Sequence, residues 1–446
     1  MKKFYIQTFG CQMNVYDGQR IAGMLQSRGW MATENVADAD LIILNTCSVR
    51  EKATNKVFSA LGRIRDAKKP DALFGIVGCV ARESGADAFK RIPELNFVLG
   101  PQSYHKLPDI IDNPDTKLLN IDLSGLEKFD ALDNSSLETN HSSLAYIPIQ
   151  EGCDHCCTYC IVPYTRGREL SRPFDDVMKD VVCASDSGIH EICFLGQNVN
   201  GYKGTRNKEQ GIRFSNSSSL FPIPYSLTDL IRATARIKSI KRIRFTSSYP
   251  TEMTDDLIDL FRTEPKLLPF LNMPIQSGSE NILKRMNRPY SLELYLDIID
   301  RLRAARPDIQ ISSDFIVGFP GETDADFKQT CDIAKRVGYI NSYSFKYSPR
   351  PHTAAAKMDN QIPENIKKER LKILDDLLQE NQRKFNLECI DNVFLCMCEG
   401  PDKTGKNTIY RTPYMQQVIV AGTDGAPLQN IRITSATKSS LRGKIV

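Results

Sequence analysis

The sequence predicts a three-part α/β chain: an N-terminal open parallel α/β sheet, a central open partial (β/α)6 barrel, and a small C-terminal all-β, OB-like barrel. Three observations predict it. Strand and helix patterns alternate from the first residues, six further strand–helix repeats follow a polar interval, and short strands with Gly and Pro turns take over near Asp391. With 446 residues, 41% of them hydrophobic, the chain has room for more than one core.

In the N-terminal part, Phe4 to Phe9, Leu41 to Leu44 and Leu73 to Val77 read as strands. Ala53, Val57, Leu61 and Ile64 recur at the spacing of one helix face. Cys11, Cys47 and Cys79 each stand just after one of the three strands. Ligands of open parallel sheets bind beyond the carboxyl ends of the strands, so the topology should gather these cysteines at one edge. A lone cysteine would read as a buried inert thiol. Three at equivalent strand ends predict a pocket of three thiolates able to hold a cluster with a free coordination site.

Residues Asp112 to Ser143 turn polar and rich in turn formers, which suits a linker, with His141 in solvent. Domain boundaries follow at 1–116, 139–371 and 374–440. The central strands are Tyr146 to Gln150, Glu191 to Leu195, Arg242 to Thr246, Phe270 to Gln276, Gln310 to Val317 and Ser342 to Tyr347. Six repeats fall short of a closed eight-stranded barrel. Pro148 cannot donate to a ladder and places the first strand at an edge.

The loop after that strand reads Cys-Asp-His-Cys-Cys-Thr-Tyr-Cys. Cys153, Cys157 and Cys160 form C-x3-C-x2-C, and three thiolates can hold three irons of a cubane while the fourth iron stays open to a ligand. A closed zinc site and the alternative C-x2-C-x3-C register through Cys156 are compatible with the same residues. His155 reads as a loop residue. The other strand ends carry Leu-Gly-Gln-Asn, Ile-Gln-Ser-Gly and Val-Gly-Phe-Pro-Gly-Glu, so Gly196, Gln197, Asn198, Gln276 and Ser277 are candidates to cradle a cofactor. Gly318 to Gly321 lacks the Lys-Ser/Thr of a phosphate loop, and Thr323 with Asp326 reads as a capping box.

Gly201 to Pro224 reads as a polar insertion, and Ile366 to Arg383 as a long helix with a solvated charged face of Lys367, Lys368, Glu369, Arg370 and Lys372. Val393 to Cys398, Gln416 to Val420 and Asn430 to Thr434 predict a small antiparallel barrel with a local basic excess suited to RNA. Cys183, Cys193, Cys331, Cys389, Cys396 and Cys398 read as packing residues. The net charge of +4 permits RNA binding without requiring it. No apolar run approaches the ~20 residues of a membrane span and no signal-peptide pattern opens the chain. A cytoplasmic protein follows, whose clustered cysteines serve metal or catalysis rather than disulfides.

The loop at 153–160 resembles the signature of radical S-adenosylmethionine (SAM) enzymes, in which Tyr159 would lie near the SAM adenine. Over nearly the whole chain the sequence resembles the bacterial tRNA methylthiotransferases, which convert N6-dimethylallyladenosine at position 37 to its 2-methylthio form. The segments are Thr8 to Asn14, Asn45 to Glu51, Tyr146 to Arg172, Leu195 to Tyr202, Arg244 to Pro250, Met273 to Arg288, Asp314 to Thr323 and Ser344 to Pro351. They select the 153, 157, 160 register. The C-terminal barrel resembles a TRAM domain, with Arg411 and Thr412 in its expected strand.

Gly18, Tyr249, His352 and Ala354 depart from the family's usual Ser, His and Gly-Thr-Pro. The resemblance implies two 4Fe-4S clusters, one on Cys11, Cys47 and Cys79 and one on Cys153, Cys157 and Cys160, with no catalytic residues beyond these ligands. It also implies two uses of SAM, a tRNA anticodon loop presenting adenosine 37, an unidentified electron donor and sulfur source, and a monomer. The competing functions are a methylthiotransferase of a ribosomal protein and a non-catalytic iron–sulfur RNA-binding regulator.

Overall fold

The computed structural model describes residues 1–48, 51–123, 125, 128–129, 143–205, 224–422 and 425–446, with the backbone alone for 51–56 and 58. Half of the expected linker, with His141, and most of the expected insertion after Gly201 lie outside the described residues. The chain forms two compact units. One is Met1–Glu138, Gln150–Cys156 and Cys160–Arg172, and the other is Thr139–Ile149, Cys157–Tyr159 and Pro173–Val446.

The first unit carries a six-stranded sheet in the order β2-β1-β3-β4-β5-β6, parallel throughout. Its elements run β1 (Lys3–Thr8), α1 (Gln12–Ser27), β2 (Met31–Ala32), β3 (Leu41–Thr46), α2 (Glu51–Ala67), β4 (Leu73–Gly78), α3 (Cys79–Ser84), α4 (Asp87–Arg91), β5 (Phe97–Leu99), α5 (Leu107–Asp112) and β6 (Leu118–Asn120). The sheet thus runs past residue 116 into the stretch expected as linker, because Leu118–Asn120 pairs with β5. Every residue of β3 and β4 is buried. Their alternate side chains enter two cores: Ile42, Leu44, Phe74 and Ile76 pack with Val57, Leu61 and Ile64 of α2, while Leu41, Ile43, Leu73 and Val77 pack with Ile21 and Leu25 of α1. Burial on both faces explains the continuous apolar runs in these strands.

After β7 (Leu144–Pro148), which belongs to the second unit, β8 (Gln150–Glu151) and β9 (Leu170–Ser171) form a short antiparallel ribbon in the first. The cysteine loop and α6 (Val162–Arg166) lie between the two strands of this ribbon.

The second unit holds the six-repeat array. Its elements are α7 (Phe174–Asp186), β10 (Glu191–Leu195), α8 (Leu227–Ala235), β11 (Arg242–Phe245), α9 (Asp255–Thr263), β12 (Phe270–Asn272), α10 (Glu280–Arg285), α11 (Leu292–Ala305), β13 (Gln310–Ser312), β14 (Asp314–Val317), α12 (Asp324–Val337), β15 (Tyr343–Lys346) and α13 (Glu364–Glu388). All ladders are parallel: β7 with β10, β10 with β11, β12 with β13, and β14 with β15. Single bridges from Ile243 to Leu267 and from Gln276 to Phe315 link these groups. Among the described residues β7 and β15 each have one neighbour, so the array is open, with Pro148 on its edge.

Three strands of the array depart from expectation by two residues or more. The first ends at Pro148 rather than Gln150, which pairs instead with Ser171 in the short ribbon. The fourth ends at Asn272 rather than Gln276, because Pro274 has no amide hydrogen and Gln276 turns to φ 73. The fifth breaks at Ser313, whose amide donates to Ser342 Oγ (2.9 Å) and whose hydroxyl accepts from Ile275 N (3.0 Å). The capping box at Thr323 and Asp326 is present at the start of α12.

The charged face expected on α13 is not wholly solvated. Lys367 and Arg370 are buried: Lys367 Nζ donates to Tyr347 O (3.2 Å), and Arg370 bonds Glu322 (2.7 Å) and Asp324 (2.6 Å). Both cations turn inward to partners that the helix pattern does not reveal.

The C-terminal barrel is closed in the order β16-β17-β18-β20-β19, from β16 (Val393–Pro401), β17 (Asn407–Arg411), β18 (Gln417–Ala421), β19 (Leu428–Ala436) and β20 (Leu441–Ile445). It is not purely antiparallel, since β18 and β20 pair in parallel. Arg242 of β11 fastens it to the α/β array by donating to Leu395 O (3.1 Å), Arg411 O (3.0 Å) and Thr412 O (3.0 Å). Cys193, Cys389, Cys396 and Cys398 are buried and Cys183 and Cys331 half-buried, as packing residues should be.

Candidate metal centres

In the first unit the strand order makes β1, β3 and β4 adjacent, and their parallel sense puts Cys11, Cys47 and Cys79 at one edge. Cys11 precedes α1 in extended conformation, Cys47 follows β3, and Cys79 opens α3. Close approach depends on the residue before Cys11: Gly10 has φ 115, and a Cβ there would overlap Cys47 Cβ and sit 2.8 Å from its sulfur. Asn14 organises the same edge. Its amide donates to Asn45 Oδ1 and Thr46 O, both at 2.9 Å, while its own Oδ1 accepts from the Cys11 thiol (3.1 Å).

A hydrogen bond with Cys47, aided by the Arg166 cation, lowers the Cys11 thiol to about 6, whereas burial raises Cys79. The edge is therefore a thiol-rich, cation-flanked donor set that fits a soft metal cluster. Among the described residues no three His, Cys, Asp or Glu side chains are already closed around one point. The edge shows the cysteines gathered by topology, with Cys11 and Cys47 paired.

A buried ring of charges lies behind this edge. Lys128 Nζ bonds Glu151 and reaches Asp17 Oδ1 (3.4 Å), and Arg166 bonds Glu151 Oε1 (2.9 Å) and reaches Asp17 Oδ2 (3.5 Å). All four side chains are at most 4% exposed. Tyr104 donates to Asp17 Oδ2 (2.9 Å), and Gln102 Nε2 caps the Arg166 carbonyl (3.0 Å). Two cations and two carboxylates balance, as burial of charge requires. The sequence offered no sign of this ring, because its members come from four separate segments.

The loop from Cys153 to Cys160 is pinned at its base. Gly152 has φ 74, and a Cβ there would overlap Arg168 O. Cys153 N donates to Gly167 O (3.2 Å), and Gln150 Nε2 to Gly152 O (2.6 Å). Cys156 is exposed, while Cys153, Cys157 and Cys160 are half-buried.

Thr158 and Tyr159 are held within the second unit. Thr158 N donates to Met286 O (3.0 Å) and its hydroxyl to Arg285 O (2.9 Å), and Ala355 N donates to Thr158 O (2.8 Å). The Tyr159 ring meets Phe319 edge-on at 6.5 Å. Cys157 Sγ accepts from Arg288 Nη1 (3.7 Å). Arg288 itself lies against the ring of Tyr249, one of the departures from the family pattern.

The cofactor candidates stand at strand ends of the second unit. Gly196, Gln197 and Asn198 follow β10, with Gly196 and Asn198 buried. The neighbouring Asn200 clamps the next loop, donating to Tyr249 O (2.8 Å) and accepting from Tyr249 N (2.7 Å). Gln276 adopts φ 73 at its bridge to Phe315. Ser277 turns inward to share a hydrogen bond with Thr330 (3.3 Å) and to accept from Ser279 N (3.2 Å), so its hydroxyl holds the loop. Glu322 accepts from Gly318 N (2.9 Å) and braces the next rim loop, a role the sequence reading missed.

Residues 3–100 match the Uncharacterized protein family UPF0004, and residues 147–334 match the Radical SAM superfamily. A tRNA-2-methylthio-N(6)-dimethylallyladenosine synthase of Rickettsia conorii is 44% identical over 458 aligned positions, covering 100% of both chains. The enzyme of that name from Rickettsia canadensis is 45% identical, covering 100% of this chain and 99% of the relative. The chain belongs to this synthase family.

Among solved structures, the radical S-adenosylmethionine methyltransferase TsrM from Kitasatospora setae superposes with a TM-score of 0.55 at 13% identity, over 80% of this chain and 75% of that one. The cobalamin-dependent radical enzyme OxsB gives 0.52 at 12% identity, over 85% and 56% of the two chains. At such identities these likenesses concern the fold. Among the described residues no helix is long and apolar enough to cross a membrane.

Proposed function

We propose that this synthase-family chain uses two 4Fe-4S clusters and SAM to add a methylthio group to C2 of N6-dimethylallyladenosine at position 37 of tRNA, presented by the anticodon loop. The observation that carries this reading is the full-length match to the named synthases, to which the strand-end cysteines add a site of suitable chemistry. Cys11, Cys47 and Cys79 would hold one cluster, and Cys153, Cys157 and Cys160 the other. The clusters would supply the reducing electron for SAM cleavage and a site for the transferred sulfur.

The chain's own residues do the rest. Gly10 and Gly152 bring backbone close, Asn14 orients Cys11, and the charge ring fixes Arg166 beside the strand-end thiols. Tyr159, Gly196, Gln197, Asn198 and Gln276 would bind and orient SAM, while Ser277 supports their loop through Thr330. The barrel would grip tRNA through Lys403, Lys406, Arg432, Lys438, Arg442 and Lys444. The chain would act as a cytoplasmic monomer supplied by an electron donor and a sulfur source of the cell.

The test is nucleoside mass analysis of tRNA from a strain lacking the gene. Loss of the 2-methylthio form, restored by the intact gene but not by Cys47→Ala or Cys157→Ala, is expected. Unchanged tRNA overturns the reading, and a lost methylthio group on a ribosomal protein instead supports the competing substrate.

A further inference from the structure

We propose that Arg288 is the counter-charge of the cluster on the 153–160 loop and raises its reduction potential through the sulfur of Cys157. The inference rests on the assignment of Cys157 as a cluster ligand.

Arg288 is 7% exposed. Its Nη2 donates to Pro274 O (2.6 Å), its Nε to Tyr290 Oη (2.8 Å), and its Nη1 to Cys157 Sγ (3.7 Å). The rings of Tyr249 and Tyr290 lie 4.5 and 5.2 Å from the guanidinium carbon. No carboxylate is among these partners. Four other buried arginines do meet a carboxylate: Arg166 bonds Glu151, Arg242 and Arg244 bond Glu191, and Arg370 bonds Glu322.

A buried cation without an anion is costly, and neutral carbonyls and aromatic faces offset that cost only in part. The group toward which Nη1 points is a cysteine sulfur, and a cluster bound by thiolates is an anion. Pro274 and Tyr290 hold the other two nitrogens, so the third is aimed rather than free to search. A cationic N–H donor on a ligand sulfur stabilises the more negative, reduced state, and reduction is the step that SAM cleavage requires. Arg288 is thus a positioning and tuning residue rather than a catalytic one.

The experiment uses the full chain with Cys11, Cys47 and Cys79 changed to Ala, so that one cluster remains, reconstituted anaerobically and titrated by EPR without SAM. Arg288→Gln is expected to keep its iron but to show a tenfold lower reduced-to-oxidised ratio at a fixed potential, about 59 mV for a one-electron couple. Arg288→Lys, which keeps the charge, should stay within about twofold of the parent.

An unchanged midpoint in iron-loaded Arg288→Gln overturns the proposal. So does an unchanged midpoint combined with weaker SAM binding, which assigns the arginine to the SAM carboxylate. Should Arg288→Gln fail to load iron, Tyr290→Phe loosens the guanidinium while keeping its charge. A twofold to threefold lower ratio supports the tuning role, and no change refutes it. If the parent itself binds no iron, the fault lies with the cluster assignment rather than with Arg288.

Discussion

Cys11, Cys47 and Cys79 come from three strand ends and share an edge because a parallel sheet puts those ends together, whereas Cys153, Cys157 and Cys160 come from a single loop. The charges around them differ as well. Behind the strand-end set, Asp17, Glu151, Lys128 and Arg166 balance one another. Beside Cys157, Arg288 has no carboxylate partner among the described residues. One site is electrically settled by the protein itself, and the other leaves a cation for its ligand to neutralise. The first should therefore be the sturdier scaffold and the second the more tightly coupled to loading.

The largest expected effects split the two sites. Cys157→Ala should lose roughly half the iron and all release of 5′-deoxyadenosine, while Cys47→Ala should lose a similar share of iron and the methylthio product yet still cleave SAM. Iron analysis and product chromatography check this, and loss of SAM cleavage in both variants would erase the distinction.

Next come the glycines. Gly10→Ala should abolish loading of the strand-end site alone and Gly152→Ala that of the loop alone, because each added methyl overlaps fixed atoms. Gly62→Ala, with open space around it in α2, is the control and should leave both clusters and gain up to ~1 kcal/mol of helix stability.

Lys128→Met leaves the ring with an uncompensated carboxylate and should cost about 3–5 kcal/mol in denaturant unfolding, even without metal. A loss below ~1 kcal/mol would show that the ring does not scaffold this edge. The smallest effect is expected from Cys156→Ala, which should change neither iron content nor SAM cleavage. If that variant alone abolished cleavage, the ligands would be Cys153, Cys156 and Cys160.

How legible each feature was depended on the range of its cause. Glu191–Leu195 emerged with the bounds read from its apolar run, and the Thr323–Asp326 box was visible because its parts are three residues apart. The gathering of Cys11, Cys47 and Cys79 at one edge could be read from topology. Long-range polar partners could not be read. Lys367 and Arg370 look solvated in helix register until Tyr347 and Glu322 are seen beneath them. The parallel pairing of β18 with β20 is likewise a matter of closure that no local pattern encodes. Arg288 sits in a segment quoted for its family resemblance, but its bond to Cys157 spans 131 residues.

Arg242 reaches from the α/β array into the barrel and takes three of its carbonyls. A module fastened in this way is a gauge rather than a tether. Its surface is held at a constant offset from the strand ends of its own unit, so the distance between the two is set by the fold and not by a linker.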